Sequence, residues 1–189
     1  MYRTKCFIIA VIAAFLLLAG CSTGNGDVGL SEDLEEIKTL DITREGMTEQ
    51  LDAFKTQTPS GLTMYLLPQF MLAEDEGFDI LFPKPEENMT PVSLTISNND
   101  QAISSAEAAL EKAVEYYPDV EFGDVMSFDY LTGNMEEGII VYGILNDSWV
   151  ACIGMKGETG TISAWGQGDM ETAEGSQVLL FNQLGTVIK

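Results

Sequence analysis

Histidine is absent from the 189 residues of this chain. Its absence excludes a Ser-His-Asp triad, a Cys-His pair and any metal held by imidazole. Bases are scarce as well: nine Lys and Arg stand against 30 Asp and Glu, for a net charge of -21. Nucleic-acid binding runs on Lys and Arg contacts to phosphate, so this composition argues for no nucleic-acid partner. The G-x-S-x-G, G-x-x-x-x-G-K-[ST] and D-x-[DN]-x-[DN]-G-x₅-E patterns do not occur. Apolar residues make up an ordinary 46%. The length fits one domain with a tail.

The longest apolar run, Phe7 to Ala19, has 13 residues, against the ~20 that a spanning helix needs. Arg3 and Lys5 precede it as a positive n-region, which makes the run the core of an export signal. It ends in Leu18-Ala19-Gly20-Cys21. That tetrad resembles the lipobox of bacterial lipoproteins. The resemblance implies cleavage between Gly20 and Cys21, a diacylglyceryl group on the Cys21 thiol and an extracytoplasmic protein held to a bacterial membrane by lipid. Each buried acyl CH₂ contributes ~0.8 kcal/mol, so two or more chains anchor firmly. Removal of residues 1–20, with two bases and no acid, leaves 169 residues at a charge of -23. Anionic headgroups repel such a surface, so the lipid carries the attachment. Of three cysteines, Cys6 leaves with the signal and Cys21 is lipidated. Cys152 then has no partner for an intramolecular disulfide.

Ser22 to Asp27 is small and polar, and residues 27–49 hold eight acids and two bases. Residues 21–46 therefore read as an acidic flexible tether. About 25 such residues reach roughly 25–30 Å. The globular domain is expected over residues 47–189. Strands are expected at 50–56, 62–67, 78–82 and 92–96, from apolar runs and alternation bounded by Gly and Pro. Ser104-x-x-Glu107 reads as a capping box opening a helix to Tyr117, with Glu107, Glu111, Lys112 and Glu115 outermost. A meander follows: 122–131, 139–145 and 149–155 around Asn146-Asp147-Ser148, and 161–165. Gly166-x-Gly168 reads as a strand-to-helix turn. Residues 171–188 read as a last helix striped by Val178, Phe181, Leu184 and Ile188. Strands 139–145 and 149–155 are apolar on both faces, so both faces need cover. The expected fold class is α+β, a mainly antiparallel sheet covered by helices on both faces. That element order resembles the PsbP-like α/β/α sandwich, whose members mostly act as binding or assembly modules without catalysis.

Candidate chemistry is sparse. Glu74-Asp75-Glu76 and Glu86-Glu87-Asn88 are oxygen-rich but read as solvated loops. Asp124 or Asp129 with a glutamate is the minimum for an acid/base pair. Cys152, between apolar neighbours, reads as a buried inert thiol. Met47, Met64, Met71, Met89, Met126, Met135, Met155 and Met170 are scattered and do not form a copper-binding cluster. Asn88-Met89-Thr90 and Asn146-Asp147-Ser148 match the glycosylation acceptor by chance. No catalytic residue, cofactor or metal is expected. The reading is a lipid-anchored, non-enzymatic binding or assembly module for an unknown protein or small ligand. The alternative is a carboxylate-dependent hydrolase of cell-envelope glycans, because two carboxylates suffice for that chemistry.

Overall fold

A computed structural model describes residues 36–44, 46–87, 89, 92–99, 102–132, 134–170 and 173–188. Ten strands and two α-helices are formed among these residues. The first three strands make one antiparallel sheet in chain order. They are β1 (Ile37–Arg44), β2 (Met47–Gln57) and β3 (Thr63–Leu66). The other seven are β4 (Phe70–Asp75), β5 (Phe78–Pro83), β6 (Val92–Asn98), β7 (Met126–Ser127), β8 (Met135–Leu145), β9 (Ser148–Gly157) and β10 (Gly160–Asp169). They form a second antiparallel sheet in the order β4-β5-β6-β10-β9-β8-β7. Helix α1 is Ala106–Val114 and helix α2 is Val178–Leu184.

Two tight turns fix registers in the larger sheet. Asn146 and Asp147 both take positive φ, at 49° and 65°, in the two-residue β8–β9 turn. Such a turn matches the right-handed twist of a hairpin. Glu76 and Gly77 do the same between β4 and β5, with φ of 51° and 85°. The Glu74-Asp75-Glu76 cluster is therefore a strand end and turn.

Helix α1 lies on one face of the large sheet, over β9, β10 and β8. Ala106, Ala109, Leu110 and Ala113 are buried there. The approach is close because β9 offers Gly154: a Cβ at that position would lie 2.0 Å from the Ala106 carbonyl oxygen and 2.5 Å from the Leu110 nitrogen. Gly154→Ala is expected to cost about 3 kcal/mol, since the obstacles are helix backbone that cannot swing aside. Gly175→Ala meets no atom within 4 Å and is expected to leave the denaturant midpoint unchanged. Equal midpoints for Gly154→Ala and wild type would contradict this packing. The helix starts one residue later than the capping box implied: the Ser105 hydroxyl, not that of Ser104, caps it by accepting from the Ala108 N–H at 3.2 Å.

The expected cover of both faces by helices is overturned. Opposite α1, the three-stranded sheet and α2 share the cover, with α2 packed against both β1 and β3 and the aromatic side chains of the large sheet. Leu40, Ile42, Ala53, Met64 and Leu67 share one core with Leu94, Ile96, Ile153 and Phe181. The molecule is mostly antiparallel β, so the PsbP-like α/β/α sandwich does not describe it. Helix α2 has seven residues and follows a π-helical turn, Ala173–Gln177. It is buried at Leu179, Leu180, Phe181, Gln183 and Leu184, not along one stripe. A helix apolar nearly all round is one enclosed on all sides. Polar groups at its end and just beyond it hold β3 and the residue after it: the Gln183 side-chain oxygen accepts the Leu67 N–H at 2.9 Å, and the Thr186 hydroxyl accepts the Tyr65 N–H at 2.8 Å.

The domain also begins before residue 47. Residues 37–44 pair along their full length with β2. Their pattern has a period of two, with Leu40 and Ile42 buried. The outward residues bond across the hairpin, Thr39 to Asp52 at 2.9 Å, Gln50 to Asp41 at 2.9 Å and Thr43 to Thr48 at 2.8 Å, while Arg44 pairs with Glu49 on the face that carries Ile42. Of the acids in this segment that are described, Asp41 belongs to a cross-strand ladder and Glu36 pairs with Lys55.

Candidate functional site

A concavity lies at the end of the large sheet where β5, β6, β10 and β9 come together. Register builds it: Val92 faces Gly168 and Ser93 faces Gln167 across β6–β10, and Ser148 faces Asp169 across β9–β10. Along each strand these positions lie two residues beyond side chains covered by α1, Gln167 beyond Trp165 and Ser148 before Val150. The pleat therefore aims them to the same side as the helix, past its cover. Phe82, Pro83, Pro85 and Met89 form an apolar wall, and Lys84 and Asp169 supply opposite charges. The groove has a volume of about 500 Å³.

Gly168, between Gln167 and Asp169, faces the other side of the sheet and makes room there for Trp149. A Cβ there would sit 2.8 Å from the Trp149 indole nitrogen. Trp149 is only 4% exposed, and its Nε1 has no hydrogen-bond partner among the described residues. Gly166-x-Gly168 is thus not a strand-to-helix turn. Both glycines are inside β10, where Gly166 lets the Ser93 carbonyl approach.

A second group of polar side chains lies under α1. The Asn99 amide donates to Ser163 Oγ at 2.9 Å and Thr161 Oγ1 at 3.2 Å. Ser163 Oγ donates to the Ala109 carbonyl at 2.6 Å, and Thr161 Oγ1 to that of Ile103 at 2.9 Å. Lys112, expected on the outer face of the helix, instead turns its ammonium to Asn99 Oδ1 at 3.0 Å. These contacts satisfy buried polar groups and tie the helix to the sheet. Asp79 is fully buried and accepts from the Ser60 N–H at 2.9 Å, pinning the β2–β3 connection to β5.

A third feature is a cavity of about 320 Å³ on the opposite side of the large sheet, near β7, lined by Phe128, Asp129, Tyr130, Ile140 and Tyr142 among others. Phe128, Tyr130 and Tyr142 surround Phe181 of α2, with ring centroids 5.5, 5.6 and 6.4 Å away.

Among the sequence candidates, Gly20 and Cys21 lie outside the described residues, as do Asn88, Thr90 and the side chain of Glu86. Asp124 and Asp129 are exposed. Among the described residues no three Asp, Glu or Cys side chains converge on a metal-sized site. Met64, Met135 and Met155 are core residues, whereas Met47, Met126 and Met170 are exposed. Cys152 sits fully buried on β9, an interior strand.

Burial pushes the Cys152 thiol up to about 12 from its ordinary 9. Ellman-type reagents are therefore expected to label it only after denaturant is added. Stability is expected to be intact below pH 9 and to fall as pH rises from there toward 12, because the unfolded thiol ionises first. Tyr117 and Tyr142, also raised to about 12 by burial, add to the same loss from pH 10 upward. Cys152→Ala is expected to weaken the fall between pH 9 and 10. An unchanged pH profile in that variant would contradict the assignment.

Neither the groove nor the aromatic cavity could be foreseen from spacing. The groove draws on residues 82–93, 148 and 167–169, which only the strand order brings together. No protein-family model, curated protein or solved structure matches this chain.

Proposed function

We propose that this chain is a lipid-anchored, extracytoplasmic binding module that does no catalysis, and that its recognition site is the groove at the end of the large sheet. The groove carries the reading. It combines an apolar wall with a few fixed polar groups on rigid strands, the usual make-up of a small-ligand site. The hydroxyls of Ser93 and Ser148 and the amide of Gln167 give donors and acceptors at fixed spacing, and Phe82 and Met89 give contact area. The anchor is supported by Leu18-Ala19-Gly20-Cys21 and the apolar run before it. No helix among the described residues is long and apolar enough to cross a membrane.

The test is a thermal-shift titration of the chain with peptidoglycan fragments and short peptides, repeated on Ser93→Trp, which fills the groove. A ligand that raises the wild-type midpoint and leaves the variant's unchanged supports the reading. Equal shifts in both proteins would place binding elsewhere. Turnover of a glycan, abolished by replacing one acid, would replace the binding module with a hydrolase.

A further inference from the structure

The second cavity carries an inference independent of the groove. We infer that the cavity formed by Phe128, Tyr130, Tyr142 and Asp129 binds a small organic cation of the alkylammonium class.

Geometry comes first. The three rings meet the Phe181 ring at interplanar angles of 72°, 64° and 45°. They are therefore packed at different tilts on one buried side chain and are not a flat stack; Phe128 is itself only 3% exposed, so Tyr130 and Tyr142 give the open walls. Phe181 is fully buried, which fixes the walls. Tyr130 and Tyr142 are half-buried and open to the cavity. A volume of about 320 Å³ accommodates a trimethylammonium group with a short substituent. Aromatic faces attract cations through the ring quadrupole, and quaternary ammonium ligands suit such cages because they shed water easily.

Charge agrees with geometry. Among the described residues, Asp129 is the one carboxylate on the lining, and no Lys or Arg lines the cavity. After burial, the Asp129 charge is the next cause holding the Tyr130 phenol above its ordinary value. A field that opposes an anion at that hydroxyl favours a cation in the same place. Both phenols stay protonated at neutral pH and keep their oxygens as acceptors. The net charge of -21 further concentrates cations near the surface and disfavours anionic ligands. A purely apolar ligand would gain nothing from Asp129, which separates the two possibilities.

The experiment is a calorimetric titration of the full chain with choline and with its neutral isostere 3,3-dimethylbutan-1-ol. Choline is expected to bind saturably, and the isostere about fivefold or more weakly. Asp129→Asn, an exposed change that spares the core, is expected to weaken choline about threefold without moving the isostere. Tyr130→Leu is expected to weaken choline about fivefold. Added salt is expected to weaken choline binding further. Sedimentation with phosphatidylcholine against phosphatidylglycerol vesicles separates the cation's sources. Retention by the first alone means a lipid headgroup, and no retention means a free solute; either agrees with the proposal when choline binds. Absence of choline binding, equal affinity for the isostere, or wild-type affinity in Asp129→Asn would overturn it.

Discussion

Phe181→Ala is expected to destabilise the protein by about 4 kcal/mol. In a domain of this size that lowers the melting midpoint by roughly 10 °C. Phe181 is fully buried, and four other aromatic rings lie within 6.4 Å of it: Phe128, Tyr130, Tyr142 and Trp149. Helix α2 meets β1 and β3 on its other side. Removing the ring opens a void at the junction of the two sheets, where the backbone is held on both sides and collapses poorly. Phe181→Leu keeps most of the volume and is expected to lose about half as much. The measurement is chemical denaturation with both variants. A loss below about 1 kcal/mol for Phe181→Ala would mean that the sheets do not depend on this ring.

Removal of every residue before Met47 is the second large effect. It deletes β1 and with it the buried Leu40 and Ile42. Two core side chains of this kind contribute about 2–5 kcal/mol each. The loss also exposes the β2 edge and uncovers Ala53, and it removes the Glu36 carboxylate that accepts from Tyr65 at 2.6 Å and pairs with Lys55. The truncated chain is expected to melt at least 15 °C lower or to lose the small sheet. A chain starting at Ser22 is expected to melt with the full protein. Indistinguishable midpoints for starts at 22 and 47 would restore residues 36–46 to a tether.

The same residues show what is legible in the sequence. Leu34, Ile37 and Leu40 have helical spacing, while Leu40 and Ile42 have strand spacing, and eight acids over 27–49 favour solvent in either reading. Only the pairing of β1 with β2 decides, because across it Asp41 finds Gln50 and Asp52 finds Thr39. The β8–β9 hairpin was readable because Asn146-Asp147 has few other uses. The doubly apolar faces of β8 and β9 correctly demanded two covers, since Val141 and Cys152 belong to one cluster and Ile140 and Ile153 to the other. Apolar alternation does not say whether a helix or a sheet supplies the cover, and here the second is a short helix together with a sheet. Strand β4 escaped notice because Met71, Leu72 and Ala73 do not alternate and run into an acidic turn. Both cavities depend on contacts across the sheets, which local patterns do not encode.

The central functional claim is that the domain is displayed outside the membrane on a lipid attached to Cys21. Growth of a bacterial host expressing the full chain with a labelled fatty acid tests it most directly. The wild type is expected to carry label and run at the size of the cleaved chain, while Cys21→Ala carries none and keeps residues 1–20. Equal label on the two proteins, or none on the wild type, would contradict the account.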